Sequence, residues 1–148
     1  MANPLWQYMH ATTKAIVRVA VIGSLAVTGV IHLVQPYFFL QTVAAYDVVP
    51  APLLLAFTFL VPSFQVAVAF GMLTQYVGRL GVQCAFVIFL VFTAAQLSVL
   101  WRGLNVDCGC FGFHSAKISV ASIIVPAMLS GGCMYLLKAE RSPRRAEV

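Results

Sequence analysis

Apolar positions fall along this chain in four long blocks separated by short polar or proline-bearing breaks. A helix needs about 20 residues to cross a hydrocarbon core about 30 Å thick. By run length the blocks predict membrane-spanning helices over residues 15–34, 51–74, 80–100 and 118–137. They leave little chain for anything else. The expected architecture is therefore all-α, a single membrane domain over residues 1–148 built as a four-helix transmembrane bundle. Lys14 just before the first block and Arg18 near its start give it the look of a signal peptide. The run is long for such a segment and no small-residue cleavage site follows it, so it reads as a retained helix.

The breaks have their own patterns. "VQPYFFLQTVAAYDVVPAP" is framed by prolines, and Pro36 and Pro50 should stop the flanking helices from running into it. Its Tyr37, Phe38, Phe39 and Tyr46 read as an aromatic belt on a short amphipathic helix lying at the membrane surface. "QYVGRLG" reads as a tight turn, and "KAERSPRRAEV" as a polar tail able to touch anionic lipid. The N-terminal "MANPLWQYMHATTK" reads either as a short interfacial helix or as a disordered tail. Within the blocks, Pro62 and Pro126 should kink their helices, and Gly131 and Gly132 should allow close helix packing.

Composition agrees with a lipid solvent. The chain is 61% hydrophobic and 9% charged, with mean hydropathy +0.95, against about 45–50% apolar and about 25% charged for a soluble domain. The formal net charge of +5 could suggest nucleic acid, but its placement points elsewhere. Lys14, Arg18, Arg79, Lys138, Arg141, Arg144 and Arg145 fall at one end of the expected bundle, and only Arg102 and Lys117 at the other. The positive-inside rule then places both termini in the cytoplasm and the connection over residues 101–117 outside, with a bacterial inner membrane as the expected location. No nucleic-acid partner is expected.

The outward connection carries the candidate chemistry, "VDCGCFGFH", with Cys108 and Cys110 separated by Gly109. A disulfide needs Cα atoms about 4.4–6.8 Å apart, which neighbours at i and i+2 reach only if the chain bends, as glycine allows. A bridge enclosing one residue removes almost no loop-closure entropy, so it makes a poor staple. A strained, exposed disulfide is instead labile and suited to exchange, in an oxidising compartment where disulfides persist. Metal binding with His114 and pairing elsewhere are the alternatives, although Cys-x-Cys plus one histidine is too small a ligand set for a closed zinc site. Gly112 would help shape the loop; His114 could give or take a proton during exchange and Asp107 could oppose thiolate formation, or both could simply be solvated. Arg102 could favour the thiolate if it folded back over the loop, or it could anchor to headgroups.

Other positions carry weaker signals. Cys84 and Cys133 are expected at matching depth near the cytoplasmic boundary, as an inner thiol pair or as small packing residues. His32, Gln65 and Gln96 are intramembrane polar groups that should face the bundle interior. They could form inter-helix hydrogen bonds, or a proton or quinone site.

"RGLNVDCGCFG", with "HLVQPYFFLQTVAAYDVVP" and "LVPSFQVAVAFGML", resembles the MauE/DoxX group of four-helix membrane proteins, over residues 18–137. Its most specific part is Arg102-Gly103 followed by Cys108-Gly109-Cys110-Phe111-Gly112. The resemblance implies a redox-associated bundle linked to maturation of a disulfide-rich methylamine dehydrogenase, with a periplasmic thioredoxin-like partner. Members commonly carry a glutamate three residues after the second-helix proline, where this chain has Gln65. The expected function is a thiol–disulfide carrier or relay using Cys108 and Cys110. Two rivals remain: a non-catalytic subunit docked in a larger membrane complex, and a quinone-linked oxidoreductase subunit.

Overall fold

The computed structural model describes residues 4–74, 78–104, 106 and 120–141. Among the described residues five α-helices run in chain order: α1 (Pro4–Val34), α2 (Pro36–Tyr46), α3 (Leu54–Leu73, entered through a 3-10 turn at Ala51–Leu53), α4 (Gly78–Trp101) and α5 (Val120–Arg141). Among the described residues there is no strand. Four of the helices, all but α2, are long and apolar enough to span a membrane.

The chain runs up α1, turns over through α2, descends α3, rises along α4 and returns along α5. α1 packs on α3 and α5, α4 packs on α3 and α5, and α2 lies across α3 and α1. The start of α1, the end of α3, the start of α4 and the end of α5 therefore share one end of the bundle. The opposite end carries α2, the end of α4 and the start of α5.

α1 is longer than its apolar block. Thirty-one residues at about 1.5 Å each give roughly 45 Å, against a hydrocarbon core of about 30 Å. The N-terminal segment expected as a separate interfacial helix or a tail is thus continuous with the first span. Between Leu5 and Ile22 nothing stops the helix, since the stretch has no proline or glycine. Thr12 and Thr13 donate their hydroxyls to the Tyr8 and Met9 carbonyls, each at 2.8 Å. Lys14 and Arg18 consequently sit well inside α1. Arg18 Nη2 donates to the Met72 carbonyl at 2.9 Å, which places a cation on the negative end of the α3 dipole.

Proline placement defines α2. Pro36 occupies its first turn, where the missing N–H has no helical partner to lose. Phe39 and Tyr46 turn inward, while Tyr37 and Phe38 stay exposed, as expected of an amphipathic surface helix.

The bundle interior is divided along its length. Near the chain ends it is apolar, built from Val21, Leu25, Val68, Met72, Val82, Ala85, Phe89, Cys133 and Leu136. In the half beside α2 it holds the buried polar residues His32, Thr58, Gln65 and Gln96. The outer surface is apolar, with Val19 70% and Leu60 67% exposed. Side chains so placed on every span fit a lipid solvent and not water.

Small residues set the closest approaches. A Cβ at Gly29 would lie 2.9 Å from Val66 Cγ2, one at Gly81 2.6 Å from Met72 Cγ, and one at Gly132 2.9 Å from Val17 Cγ1. Gly131, paired with Gly132 in the sequence reading, faces open space.

Candidate functional site at the α2 end of the bundle

α4 ends in a defined way. The Leu104 N–H donates to the Val99 carbonyl and the Gly103 N–H to the Leu100 carbonyl, both at 3.1 Å, with Gly103 at φ +64°. These paired bonds form a Schellman termination, which needs a left-handed residue that glycine adopts without strain. Gly103 therefore turns the chain out of α4 into the connection that carries the Cys-Gly-Cys sequence.

Arg102, just before that glycine, reaches across to α2. Its Nη1 donates to the Tyr46 carbonyl at 2.9 Å, and its Nη2 donates to Asp47 Oδ2 at 3.3 Å. Asp47 caps α2 in a left-handed conformation, φ 49° and ψ 41°. The guanidinium thus satisfies a terminal carbonyl and pairs with a carboxylate at once, using the fork geometry of arginine. Neither sequence reading of Arg102 describes this contact, because its partners lie 55 and 56 residues away. With side-chain exposures of 41% and 82% the ion pair is solvated, so its consequence is geometric more than energetic.

His32 and Gln65 both lie in the interior, 4% and 2% exposed. The His32 ring stacks on Phe39 of α2, with centroids 4.2 Å apart and planes 20° apart. Gln65 sits against the α1 backbone where Gly29 removes the obstruction, with its Cβ 3.2 Å from a Cβ built at residue 29. Among the described residues Gln65 Oε1 has no hydrogen-bond partner. The hydroxyl of Thr58 is satisfied within its own helix by the Leu54 carbonyl at 2.8 Å. Gln96 is buried on α4.

Cys84 and Cys133 are free thiols that belong to the apolar half. Cys133 is wholly buried in that cluster and Cys84 packs against it. Cys108, Gly109, Cys110, Phe111, Gly112 and His114 lie outside the described residues, as do Asp107 and Lys117. Among the described residues no group of three His, Cys, Asp or Glu side chains could hold a metal ion.

Asp47 escaped the sequence reading, and Gly103 entered it only within the family resemblance and not as a helix terminator. Asp47 is the sole acidic residue between Gln35 and Pro50, a signal that it would pair with a cation at the same end. Gly103 lies three residues beyond the end of the third apolar block, close to where a helix-terminating glycine is expected.

Comparison with known proteins places these features in a family context. The family model described as "Methylamine utilisation protein MauE" matches residues 10–139, from the first part of α1 almost to the end of α5. No curated protein and no solved structure matches the chain.

Proposed function

This chain belongs to the MauE family, multi-pass membrane proteins linked to methylamine utilisation, and we propose that it carries thiol–disulfide equivalents through Cys108 and Cys110. What supports the reading is the position of the Cys-Gly-Cys sequence along the chain, between α4 and α5. The described end of α4 and start of α5 lie at the bundle end away from Pro4 and Arg141. The basic residues with described side chains support the orientation. Lys14, Arg18, Arg79 and Lys138 lie toward the terminus-bearing end, whereas Arg102 at the other end is paired with Asp47. The positive-inside rule then puts the termini in the cytoplasm of a bacterial inner membrane and the cysteines in the oxidising periplasm.

The chemistry is a two-step exchange. The thiolate of one cysteine attacks a partner disulfide, forming a mixed disulfide and releasing one partner thiolate. The second cysteine then attacks the first, closing the Cys108–Cys110 bond and releasing the other partner sulfur. Two electrons pass to the partner, and the two protons lost by the cysteines end on its thiols. The reverse sequence oxidises the partner. A periplasmic thioredoxin-like protein suits this role, with maturation of an exported enzyme of the methylamine dehydrogenase type as the downstream outcome.

A second reading, a quinone-linked subunit, draws support from buried polar His32 and Gln65 in the half of the bundle beside α2. The test is a non-reducing gel of membranes from Cys108→Ser and Cys110→Ser variants, run beside an assay of client maturation. Each variant should insert normally, fail to mature the client, and one should trap its partner as a covalent adduct, because the resolving sulfur is missing. Normal maturation with no adduct in either variant would favour the non-catalytic assembly subunit.

A further inference from the structure

We propose that Arg102 is a positioning residue for this exchange: held by the Tyr46 carbonyl and the Asp47 carboxylate at the end of α2, it fixes the point from which the chain leaves α4 toward Cys108. The inference rests on the carrier reading above. Its geometric half stands independently on the described contacts.

Arg102 directly precedes Gly103, the left-handed residue that redirects the chain. Residue 102 also closes the last ordinary helical bond of α4, its N–H donating to the Ser98 carbonyl at 3.0 Å. Any rotation of the end of α4 must therefore move the guanidinium off two acceptors at the end of another helix. α2 otherwise packs on α3 and α1, so the Arg102 bonds tie it to α4 as well. Cys108 lies five residues beyond Gly103, which confines its Cα within about 18 Å of the Gly103 Cα even at full extension. The position of Gly103 therefore sets the centre of the region that the sulfurs can reach. Exchange needs the attacking sulfur aligned with the bond it breaks, and small misplacements of reacting groups are costly in rate.

Lysine cannot reproduce the clamp, because its single ammonium is a point charge without the rigid fork that reaches both oxygens. The Tyr46 carbonyl, on the last residue of α2, also carries part of the negative end of that helix dipole. Removal of Asp47 alone should therefore weaken the clamp without abolishing it.

The experiment uses the full chain in lipid nanodiscs and two readouts. Stopped-flow exchange of the reduced protein with oxidised glutathione gives a rate constant. A nitroxide on Leu104→Cys, in a background with the four native cysteines replaced, gives local mobility independent of redox chemistry. Arg102→Gln should slow exchange about tenfold and mobilise the label, Arg102→Lys should recover part of the rate, and Asp47→Asn should lose about threefold. Asp47 is 82% exposed at its side chain, so that variant keeps the test open if the arginine variants fail to insert. An unchanged rate in Arg102→Gln, or an unchanged nitroxide spectrum, overturns the proposal. Wild-type protein that never exchanges would instead overturn the carrier reading, while the nitroxide still decides whether Arg102 fixes the exit from α4.

Discussion

Gly29 of α1 faces Val66 of α3 so closely that a single methyl group on residue 29 would lie 2.9 Å from Val66 Cγ2. The Gln65 Cβ and the Pro62 carbonyl oxygen would each stand 3.2 Å away. Pro62 is itself buried within α3, so the backbones approach at the point where that helix lacks one hydrogen bond. Packing of this kind has to do much of the work in lipid, where tails solvate apolar side chains as well as a neighbouring helix does.

Gly29→Ala should therefore destabilise the bundle by about 1–3 kcal/mol, the usual range for overpacking. Gly23→Ala is the matched control. It lies on the same helix, and a methyl group there would meet nothing within 4 Å. That variant should cost nothing or stabilise by about 0.5–1 kcal/mol through helix propensity. Thermal unfolding in detergent checks both. Equal midpoints for the two variants would mean that the α1–α3 crossing is not close-packed at Gly29.

The orientation can be read chemically in intact cells. In a background without native cysteines, Val48→Cys should react with an impermeant thiol reagent, because residue 48 is 56% exposed beside α2. Ser142→Cys, beyond α5, should stay protected until the cells are opened. Labelling of residue 142 but not of residue 48 would invert the topology and place the Cys-Gly-Cys connection in a reducing compartment.

Cys133 and Cys84 should behave as packing residues. Cys133 is completely buried among apolar side chains, so Cys133→Ala should lose about 1 kcal/mol of stability, with Cys84→Ala losing less. Both variants should exchange with glutathione at the wild-type rate. A rate falling with either substitution would assign a redox role to the inner thiols.

Much of the fold is legible in the chain itself. The four apolar blocks have the length that a hydrocarbon core imposes, and the two prolines around residues 36–50 separate α2 from its neighbours. The inward turn of His32, Gln65 and Gln96 follows from the cost of exposing polar groups to lipid. The boundaries were less legible. Hydropathy marks where a helix is apolar, whereas a helix ends where its hydrogen bonding is interrupted, so α1 continues to Pro4 through a polar stretch that has no breaker. The last span is described from Val120 to Arg141, beyond the end of its apolar run at residue 137, for the same reason.

A helical membrane bundle, a Cys-Gly-Cys connection between its last two spans, and a cluster of cationic side chains toward the other end all follow from the order of residues along the chain. Those properties depend on local composition and on the thickness of the solvent. Which glycines matter emerges from the packing, which separates Gly29, Gly81 and Gly132 from the open Gly23 and Gly131. Packing likewise joins Arg102 to Tyr46 and Asp47, and His32 to Phe39. These relationships depend on the rotation of each helix about its axis and on its height beside its neighbours. A hydrophobic pattern indicates which face turns inward, but the partner it meets is set by the packing of the whole bundle.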